Sequence, residues 1–317
     1  MPNIMENSTS QTQSVASSPF TGLALVSGSM TSSQLGIAAA VPLMLIHGSF
    51  GISALRLVFA ALFCLIWVRP PVLRFSRQQW IGAFALGLTV AVMTMSFFTA
   101  AKLIPMGPAI TIDFLGPLSL GLLALRGWPR LVLPFMAGLG VLAVSYGSHG
   151  QFLNPAGLLF ALVAACGWGS YIVLMRHVGR LFSAQEGLCL SLIVAALLAL
   201  PVACFLKSPA GWVGTAPTVA GLAVLSPLLP FALEMVALRR MDIGVFSIVM
   251  SLEPAIGALL GFVILGQALS LSQICGVLAV MAASAGAVLG AAIGKSEPMQ
   301  AKKDPDQTKE KKFPQIL

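Results

Sequence analysis

Residues 106–124 read MGPAITIDFLGPLSLGLLA, an apolar run in which Asp113 is the one ionisable side chain. A transmembrane helix needs about 20 consecutive, mostly apolar residues, so this run is expected to cross a membrane. A shift of 137 positions places it without a gap on residues 243–261, IGVFSIVMSLEPAIGALLG, and brings Pro117 onto Pro254. The chain therefore holds two related spans that each contain one acid and at least one proline.

The composition of the whole chain agrees with a membrane environment. Of 317 residues, 57% are apolar and only 9% are charged, whereas a soluble domain carries about 25% charged residues. So few charges could not cover the surface of a soluble protein of this length. This excludes a soluble enzyme, a disordered chain and, despite the net charge of +8, a nucleic-acid partner. We expect an all-α integral membrane protein with the lipid bilayer as its surroundings.

Charged and Pro/Gly-rich breaks divide the chain into ten predicted transmembrane helices. They cover residues 23–43, 49–68, 81–101, 106–125, 130–147, 155–176, 184–206, 217–238, 244–266 and 270–293. Five helices form a first repeat, 21–147, and five form a second repeat, 155–293. A polar N-terminal tail, 1–20, and a basic C-terminal tail, 294–317, are both predicted to be disordered and cytoplasmic.

The basic residues predict the orientation of the helices. With a cytoplasmic N-terminus, fifteen Lys and Arg residues fall on the inner side, whereas the outer loops hold only Lys102 and Lys207. Lys and Arg in short loops stay cytoplasmic, so both termini are expected there. Because each half has an odd number of spans, the two five-helix repeats are inverted, and Arg239, the repeat mate of Lys102, lies inside. Inverted repeats are typical of secondary carriers, whose substrate site lies between the halves near mid-membrane.

Other classes of membrane protein fit the sequence less well. A channel would need a recognisable filter or a ring of charges, and a membrane enzyme would need converging nucleophile, base or metal groups. Histidines are scattered and cysteines lie singly in apolar runs, so no metal site and no cofactor are expected, and the thiols are expected to fill helix interfaces. The cysteines are Cys64, Cys166, Cys189, Cys204 and Cys275.

Four ionisable side chains, Arg56, Asp113, Glu234 and Glu253, stand out because they lie well inside predicted spans. Each costs about 2.5–3.5 kcal/mol to insert, so such groups are candidates for function. Arg56 and Asp113 both lie about 10 Å from the outer surface at ~1.5 Å per residue. They could therefore pair, either as a gate or a site for the carboxylate and amine of a zwitterion, or as a static buried ion pair.

The two prolines predict loosened helices beside the acids. Pro254 directly follows Glu253, and Pro117 frees the backbone carbonyl of Asp113, because proline has no N–H to donate. Relative to these prolines the two acids differ by three positions, which places them on one helix face. A carboxyl group in low-dielectric surroundings can exchange a proton near neutral pH. Asp113 and Glu253 are thus candidates for proton coupling and the prolines for hinges; the alternative for Glu253 is a hydrogen-bonded packing residue.

The remaining candidates have two interpretations each. Glu234 lies near the inner end of its span, where it could pair with arginines at the interface, or act in a gate beside helix-breaking Pro227 and Pro230. Trp168 and Tyr171 are three residues apart and share one helix face. They could form the floor of an amphipathic cavity, or they could pack against other helices and anchor their own.

The polar run at residues 31–34, TSSQ, also has two interpretations. Its side chains could bind a polar solute, or they could join neighbouring helices through hydrogen bonds.

Several of these segments resemble one family. Residues 104–117, IPMGPAITIDFLGP, resemble the helix 3–4 signature of the EamA family in the drug/metabolite transporter superfamily. Residues 229–238, LPFALEMVAL, and 250–255, MSLEPA, resemble its second-half counterparts, and residues 54–57, ALRL, match the start of its helix 2. The resemblance covers about residues 21–293 and is strongest to the threonine/homoserine exporter subgroup.

The resemblance implies a ten-helix exporter of amino acids or related metabolites in a bacterial-type inner (plasma) membrane, driven by proton exchange or by the solute gradient. It implies a cavity between the halves, with Asp113, Glu234 and Glu253 at matching positions. The subgroup has Glu where this chain has Asp113, a side chain one methylene shorter, which would change its reach or the substrate size.

Together these observations predict a secondary transporter, not an enzyme, that exports small polar metabolites, neutral amino acids such as threonine and homoserine, by alternating access. Protons are the expected coupling partner, and Arg56 is the candidate for recognising a carboxylate. The alternatives are an exporter of drugs or aromatic solutes from the same superfamily, and a membrane protein that transports nothing.

Overall fold

A computed structural model describes residues 19–71, 74–123, 129–145, 153–182, 185–206, 212–240, 246 and 249–296. All regular structure in these residues is helical, which confirms the all-α class. Most of the two predicted tails lies outside the described residues. The first helix begins at Pro19 and the last runs to Ser296, so each helix extends slightly into the predicted tail.

Each helix of the described residues overlaps one of the predicted spans, and the count of ten transmembrane helices stays a prediction. The first half contains α1 (Pro19–His47), α2 (Ser49–Val68), α3 (Arg77–Leu103), α4 (Met106–Asp113), α5 (Leu115–Leu123) and α6 (Pro129–Ser145). The second half contains α7 (Pro155–Leu181), α8 (Glu186–Leu206), α9 (Trp212–Ala223), a π-helical turn (Val224–Leu228), α10 (Leu229–Arg240), α11 (Glu253–Leu265) and α12 (Leu271–Ser296). Helix α7 continues past the predicted end at residue 176, because basic residues in a last turn favour a helix rather than end it.

Within the described residues, five helical segments are long and apolar enough to cross a membrane: Thr21–His47, Ser49–Val68, Arg77–Leu103, Pro155–Leu181 and Gly214–Glu234. Large apolar side chains are exposed on the outside of the bundle, among them Trp67 at 85%, Leu131 at 77% and Phe205 at 92%. Apolar surface of this kind is stable in contact with lipid and unfavourable in water.

The two spans in which an acid precedes a proline, 106–125 and 244–266, are interrupted, as the sequence predicts. Helix α4 ends at Asp113, and α5 begins after a turn at Phe114, three residues before Pro117. In the second half a turn at residues 251–252 precedes α11, which begins at Glu253. The shift of 137 positions takes residue 114 to residue 251, so it superposes the two breaks. The role of the prolines as hinges stays a prediction.

A third break lies between α9 and α10. Ser226, inside the π-helical turn, has non-helical angles of φ −162° and ψ 120°. The prolines at 227 and 230 explain the interruption, because each removes one helical hydrogen bond. The Ser226 carbonyl is therefore turned out of the helical ladder and is free to accept a bond from another element.

The cysteines only partly follow the expectation that they fill interfaces. Cys64 and Cys189 are buried, but Cys166, Cys204 and Cys275 are exposed. The expectation is wrong for these three, because an apolar neighbourhood in a membrane protein faces lipid as often as it faces another helix.

Helices α6 and α12 pack closely where Gly140 meets Gly276. A Cβ built on Gly276 would lie 2.5 Å from the carbonyl oxygen of Gly140 and 2.6 Å from Cγ2 of Val144. Small residues allow this close approach of two membrane helices. We expect Gly276→Val to cost about 1–3 kcal/mol or more, since the backbone cannot yield easily. The measurement is the melting temperature and the monodisperse yield of protein purified in detergent.

Gly138→Val is the matched control for this prediction, because a Cβ on Gly138 meets no atom within 4 Å. It should keep wild-type yield and melting temperature. Equal stability of the two variants would contradict the proposed role of the close contact.

Candidate functional site

The six side chains that the sequence singles out line one cavity. They are Arg56, Asp113, Trp168, Tyr171, Glu234 and Glu253. The cavity is walled by residues of α1, α2, α3, α4, α7, the π-helical turn, α10 and α11, so both halves of the chain contribute. The empty space around these residues, with the open mouth and the adjoining open space included, is about 740 Å³.

Arg56 on α2 is almost fully enclosed, with 1% of its surface exposed. Its Nη2 donates a hydrogen bond to the backbone carbonyl of Ser226, the group released by the break before α10. The guanidinium carbon lies 4.2 Å from the centroid of the Phe98 ring, a cation–π contact. Nε and Nη1 of Arg56 have no hydrogen-bond partner among the described residues. Part of the planar donor fork is therefore left for a ligand.

Asp113 occupies the C-terminal end of α4 and is 8% exposed. Its Oδ1 is buried without a hydrogen-bond partner in the described part of the chain. The suggested Arg56–Asp113 ion pair is not formed, because the guanidinium contacts Ser226 and Phe98 instead. The two charges thus lie in one cavity, where each can meet a different group of a ligand.

Glu253, the first residue of α11, is bound to α1. Gln34 Nε2 donates to Glu253 Oε1 at 2.8 Å, while Gln34 Oε1 and Glu253 Oε2 have no partner within the described ranges. Gln34 comes from the polar run at residues 31–34, for which the sequence allowed a solute-binding or a helix-joining role. Its side chain joins two helices and also lines the cavity.

Glu234 on α10 is likewise bound to α1. Ser29 Oγ donates to Glu234 Oε1 at 2.7 Å. The side chains of Arg239 and Arg240, the partners suggested for Glu234, lie outside the described residues. Since Glu234 lines the cavity, α1 holds two carboxyl groups in its wall, one through Ser29 and one through Gln34.

The aromatic pair on α7 both packs and lines the cavity. The Tyr171 ring stacks on Phe231, with centroids 5.1 Å apart and planes inclined by 29°. Trp168 meets Phe114 edge to face at 5.5 Å, just at the break between α4 and α5. The Tyr171 side chain is 4% exposed, and its hydroxyl has no hydrogen-bond partner in the described chain.

The buried polar atoms without partners are concentrated at this site. In the described residues there are six such side-chain atoms, and each belongs to a residue that lines the cavity. They are Gln34 Oε1, Arg56 Nε and Nη1, Asp113 Oδ1, Tyr171 Oη and Glu253 Oε2. A buried polar group without a partner costs about 1–3 kcal/mol. Their convergence on one cavity is the arrangement expected of a site that binds a polar, charged ligand.

Sequence reasoning missed three parts of the site. The Ser226 carbonyl could have been suspected, because Pro227 and Pro230 mark an interruption that frees backbone groups. Phe98 and Phe231, which contact Arg56 and Tyr171, carry no signal that separates them from the other apolar residues of their helices.

Comparison with known proteins places the chain among transporters. Residues 155–289 match the model of the EamA-like transporter family. The chain is 31% identical over 265 residues to the threonine/homoserine exporter RhtA of Salmonella typhimurium (strain SL1344), which covers 82% of this chain and 88% of that protein. RhtA of Escherichia coli (strain K12) gives the same identity and coverage.

Two further proteins are more distantly similar. Protein PecM of Dickeya dadantii (strain 3937) is 30% identical over 230 residues, covering 68% of this chain and 74% of that protein. One protein of known crystal structure has a TM-score of 0.59 at 19% identity, covering 88% of this chain and all of that one. This similarity supports a shared fold.

Proposed function

The chain belongs to the EamA-like transporter family, and from this we propose that it exports a small zwitterionic metabolite, a neutral amino acid such as threonine or homoserine. The observation that carries the proposal is the cavity, in which the free N–H groups of Arg56 lie together with three carboxyl groups. The proposed location is a bacterial-type inner membrane, with both termini in the cytoplasm.

The proposed architecture is ten transmembrane helices in two inverted five-helix repeats. The shift of 137 positions carries α2 to residues 186–205, beside α8 at Glu186–Leu206, and carries α3 to residues 214–240, beside α9–α10 at Trp212–Arg240. The family match at residues 155–289 corresponds to the second repeat.

Packing between the helices supports the same twofold relation. The proposed repeat pairs α1 with α7, and α3 with α9–α10. The contact between α1 and α10 then has its counterpart in the contact between α7 and α3. The contacts of α2 with α8 and of α6 with α12 join repeat mates directly. Inverted repeats of this kind provide two equivalent gates around one central site.

Substrate binding follows from the charges in the cavity. The planar guanidinium of Arg56 matches the two oxygens of a carboxylate, and such charge-assisted bonds are among the strongest in proteins. The ammonium group of the same substrate can be bound by carboxyl groups, of which Asp113 and Glu253 each retain an oxygen without a partner.

Proton coupling is proposed for Asp113 and Glu253. A carboxylate that binds the substrate ammonium can exchange it for a proton, so the two cargoes alternate at one site. Each acid lies beside a helix break that precedes Pro117 or Pro254. Rocking of the halves about these breaks would expose the site to each side in turn.

An exporter of aromatic solutes is the second candidate. Aromatic and sulfur-containing side chains form a large part of the cavity wall: Met93, Phe97, Phe98, Trp168, Tyr171 and Phe231. Such a surface accepts flat apolar solutes. Arg56 and the carboxyl groups favour a zwitterion over an uncharged aromatic compound.

The proposal is tested with purified protein in proteoliposomes whose membrane potential is clamped to zero. We expect labelled threonine and homoserine to accumulate when the lumen is more acidic than the medium, because protons leaving the vesicle drive the solute inward. Unlabelled aromatic amino acids and cationic dyes serve as competitors. Folded protein that moves neither solute would refute the amino-acid assignment, and accumulation indifferent to the pH gradient would refute proton coupling.

A further inference from the structure

The hydroxyl group of Tyr171 differs from the other unpartnered atoms of the cavity. Of the six in the described residues, the others are guanidinium nitrogens, carboxyl oxygens and one amide oxygen. Tyr171 Oη is the single hydroxyl, which can both donate and accept a hydrogen bond. It is therefore suited to a neutral ligand group that is itself both donor and acceptor, namely another hydroxyl.

The position of this hydroxyl is fixed by its ring. Tyr171 is 4% exposed and belongs to a buried cluster in which α2, α3, α7 and α8 meet. On the α10 side its ring stacks on Phe231. A ring held on both sides keeps Oη at one place in the cavity wall, as specificity by hydrogen bonding requires.

We propose that Tyr171 Oη binds the side-chain hydroxyl of the substrate and makes the site selective for hydroxy amino acids over their apolar isosteres. The inference rests on the proposed function. A hydroxy amino acid has three polar groups, and the cavity has a partner for each: Arg56 for the carboxylate, acids such as Asp113 for the ammonium, and Tyr171 for the hydroxyl.

Selectivity follows because the isostere leaves the tyrosine unpaired. Valine has the shape of threonine with a methyl group in place of the hydroxyl, and norvaline has that relation to homoserine. A purely apolar pocket distinguishes such pairs poorly, whereas a site built to bond the hydroxyl rejects the analogue that lacks it. The expected preference of the wild type for threonine over valine is about 10- to 100-fold.

Glu234 offers a competing explanation, because it lies near enough for its charge to act on the Tyr171 hydroxyl. In a rearranged cavity Tyr171 Oη could bond this carboxyl group instead of a substrate. Its role would then be to position Glu234, and its loss would change the pH dependence of transport and leave the choice of substrate intact.

The test compares wild type, Tyr171→Phe and Ser170→Ala in proteoliposomes. Tyr171→Phe removes one oxygen and keeps the ring that stacks on Phe231. Ser170→Ala removes the neighbouring hydroxyl on α7, which is exposed and bonds the Cys166 carbonyl outside this cavity. Initial rates of labelled threonine uptake are measured against unlabelled valine, homoserine and norvaline, at several pH values.

We expect Tyr171→Phe to reduce the threonine-to-valine preference to within about threefold, mainly through a higher KM for threonine, while Ser170→Ala keeps the wild-type ratio. If Tyr171→Phe folds but does not transport, the preference is measured from binding instead. Threonine and valine should then raise the melting temperature of this variant by similar amounts. An unchanged ratio, with or without an altered pH profile, would overturn the inference and leave the proposed function standing. A wild type that does not transport threonine would refute both.

Discussion

Replacement of Arg56 by Gln is expected to reduce threonine transport at least about 30-fold. Truncating one partner of a buried, hydrogen-bonded charge pair typically costs 2–5 kcal/mol, and here the partner is the substrate carboxylate. Arg56 is the single cation among the cavity-lining residues of the described chain, so no second group can take its place. The measurement is the initial rate of labelled threonine uptake by reconstituted protein.

Two further variants separate the charge from the geometry. Arg56→Lys keeps a positive charge but loses the planar fork, so it should recover only part of the activity. Arg77→Gln, at an exposed position on the first turn of α3, removes a charge outside the cavity and should transport like the wild type. Threonine amide, whose carboxyl group is blocked, should compete poorly with labelled threonine for the wild type. In Arg56→Gln it should compete no better than it does in the wild type. Normal transport by Arg56→Gln would show that this arginine does not bind the substrate carboxylate.

The residues of the cavity could be predicted from the sequence because charge inside a membrane is costly. Arg56, Asp113, Glu234 and Glu253 each lie in an apolar run, and insertion energy alone brings them to a protected interior. Their convergence on one cavity follows from that cost, since enclosed or water-lined space is the cheapest place for them in a bundle of apolar helices.

The partners of these residues could not be predicted in the same way. Counting residues from a helix end gives the depth of Arg56 and Asp113 but not their direction around the helix axis or the distance between the helices. Their similar depth in the membrane predicts that Arg56 and Asp113 can pair. The guanidinium of Arg56 instead donates a hydrogen bond to the Ser226 carbonyl. That carbonyl is available only because the backbone at Ser226 leaves the helical conformation.

The break at Ser226 also limits what the proposed internal repeat predicts. The shift of 137 positions relates Pro227 to Val90 and Pro230 to Met93, so the prolines that interrupt the second half have no counterpart in the first. Helix α3 accordingly runs unbroken over Arg77–Leu103, whereas the segment that the shift places on it is split into α9 and α10. The proposed repeat relates helices of the two halves, and the break at Ser226, which departs from it, frees the carbonyl that Arg56 bonds.

Replacement of Asp113 by Asn is expected to abolish pH-driven accumulation of threonine while the protein stays folded. The amide is close in shape to the carboxyl group but carries no exchangeable acidic proton, so a proton antiporter that uses Asp113 loses its coupling. A pH gradient of one unit can sustain about a tenfold concentration ratio of a neutral solute exchanged for one proton, and this ratio should fall to about one. The measurement is accumulation at equilibrium, with the lumen acidic and the membrane potential clamped.

Three other variants assign the proton to a particular acid. Asp113→Glu keeps the acid on a chain one methylene longer and should retain coupling, with a changed KM from the smaller cavity. Among the acids of the described residues, Glu186 is the one that does not line the cavity. Glu186→Gln is therefore the control and should behave as the wild type. Glu253→Gln keeps an oxygen to accept the bond from Gln34 but loses the proton site. If Asp113→Asn accumulates threonine normally and Glu253→Gln does not, the proton is carried by the second repeat alone. Full accumulation in both would mean that neither acid by itself drives export, and the bond from Gln34 to Glu253 would then serve packing rather than coupling.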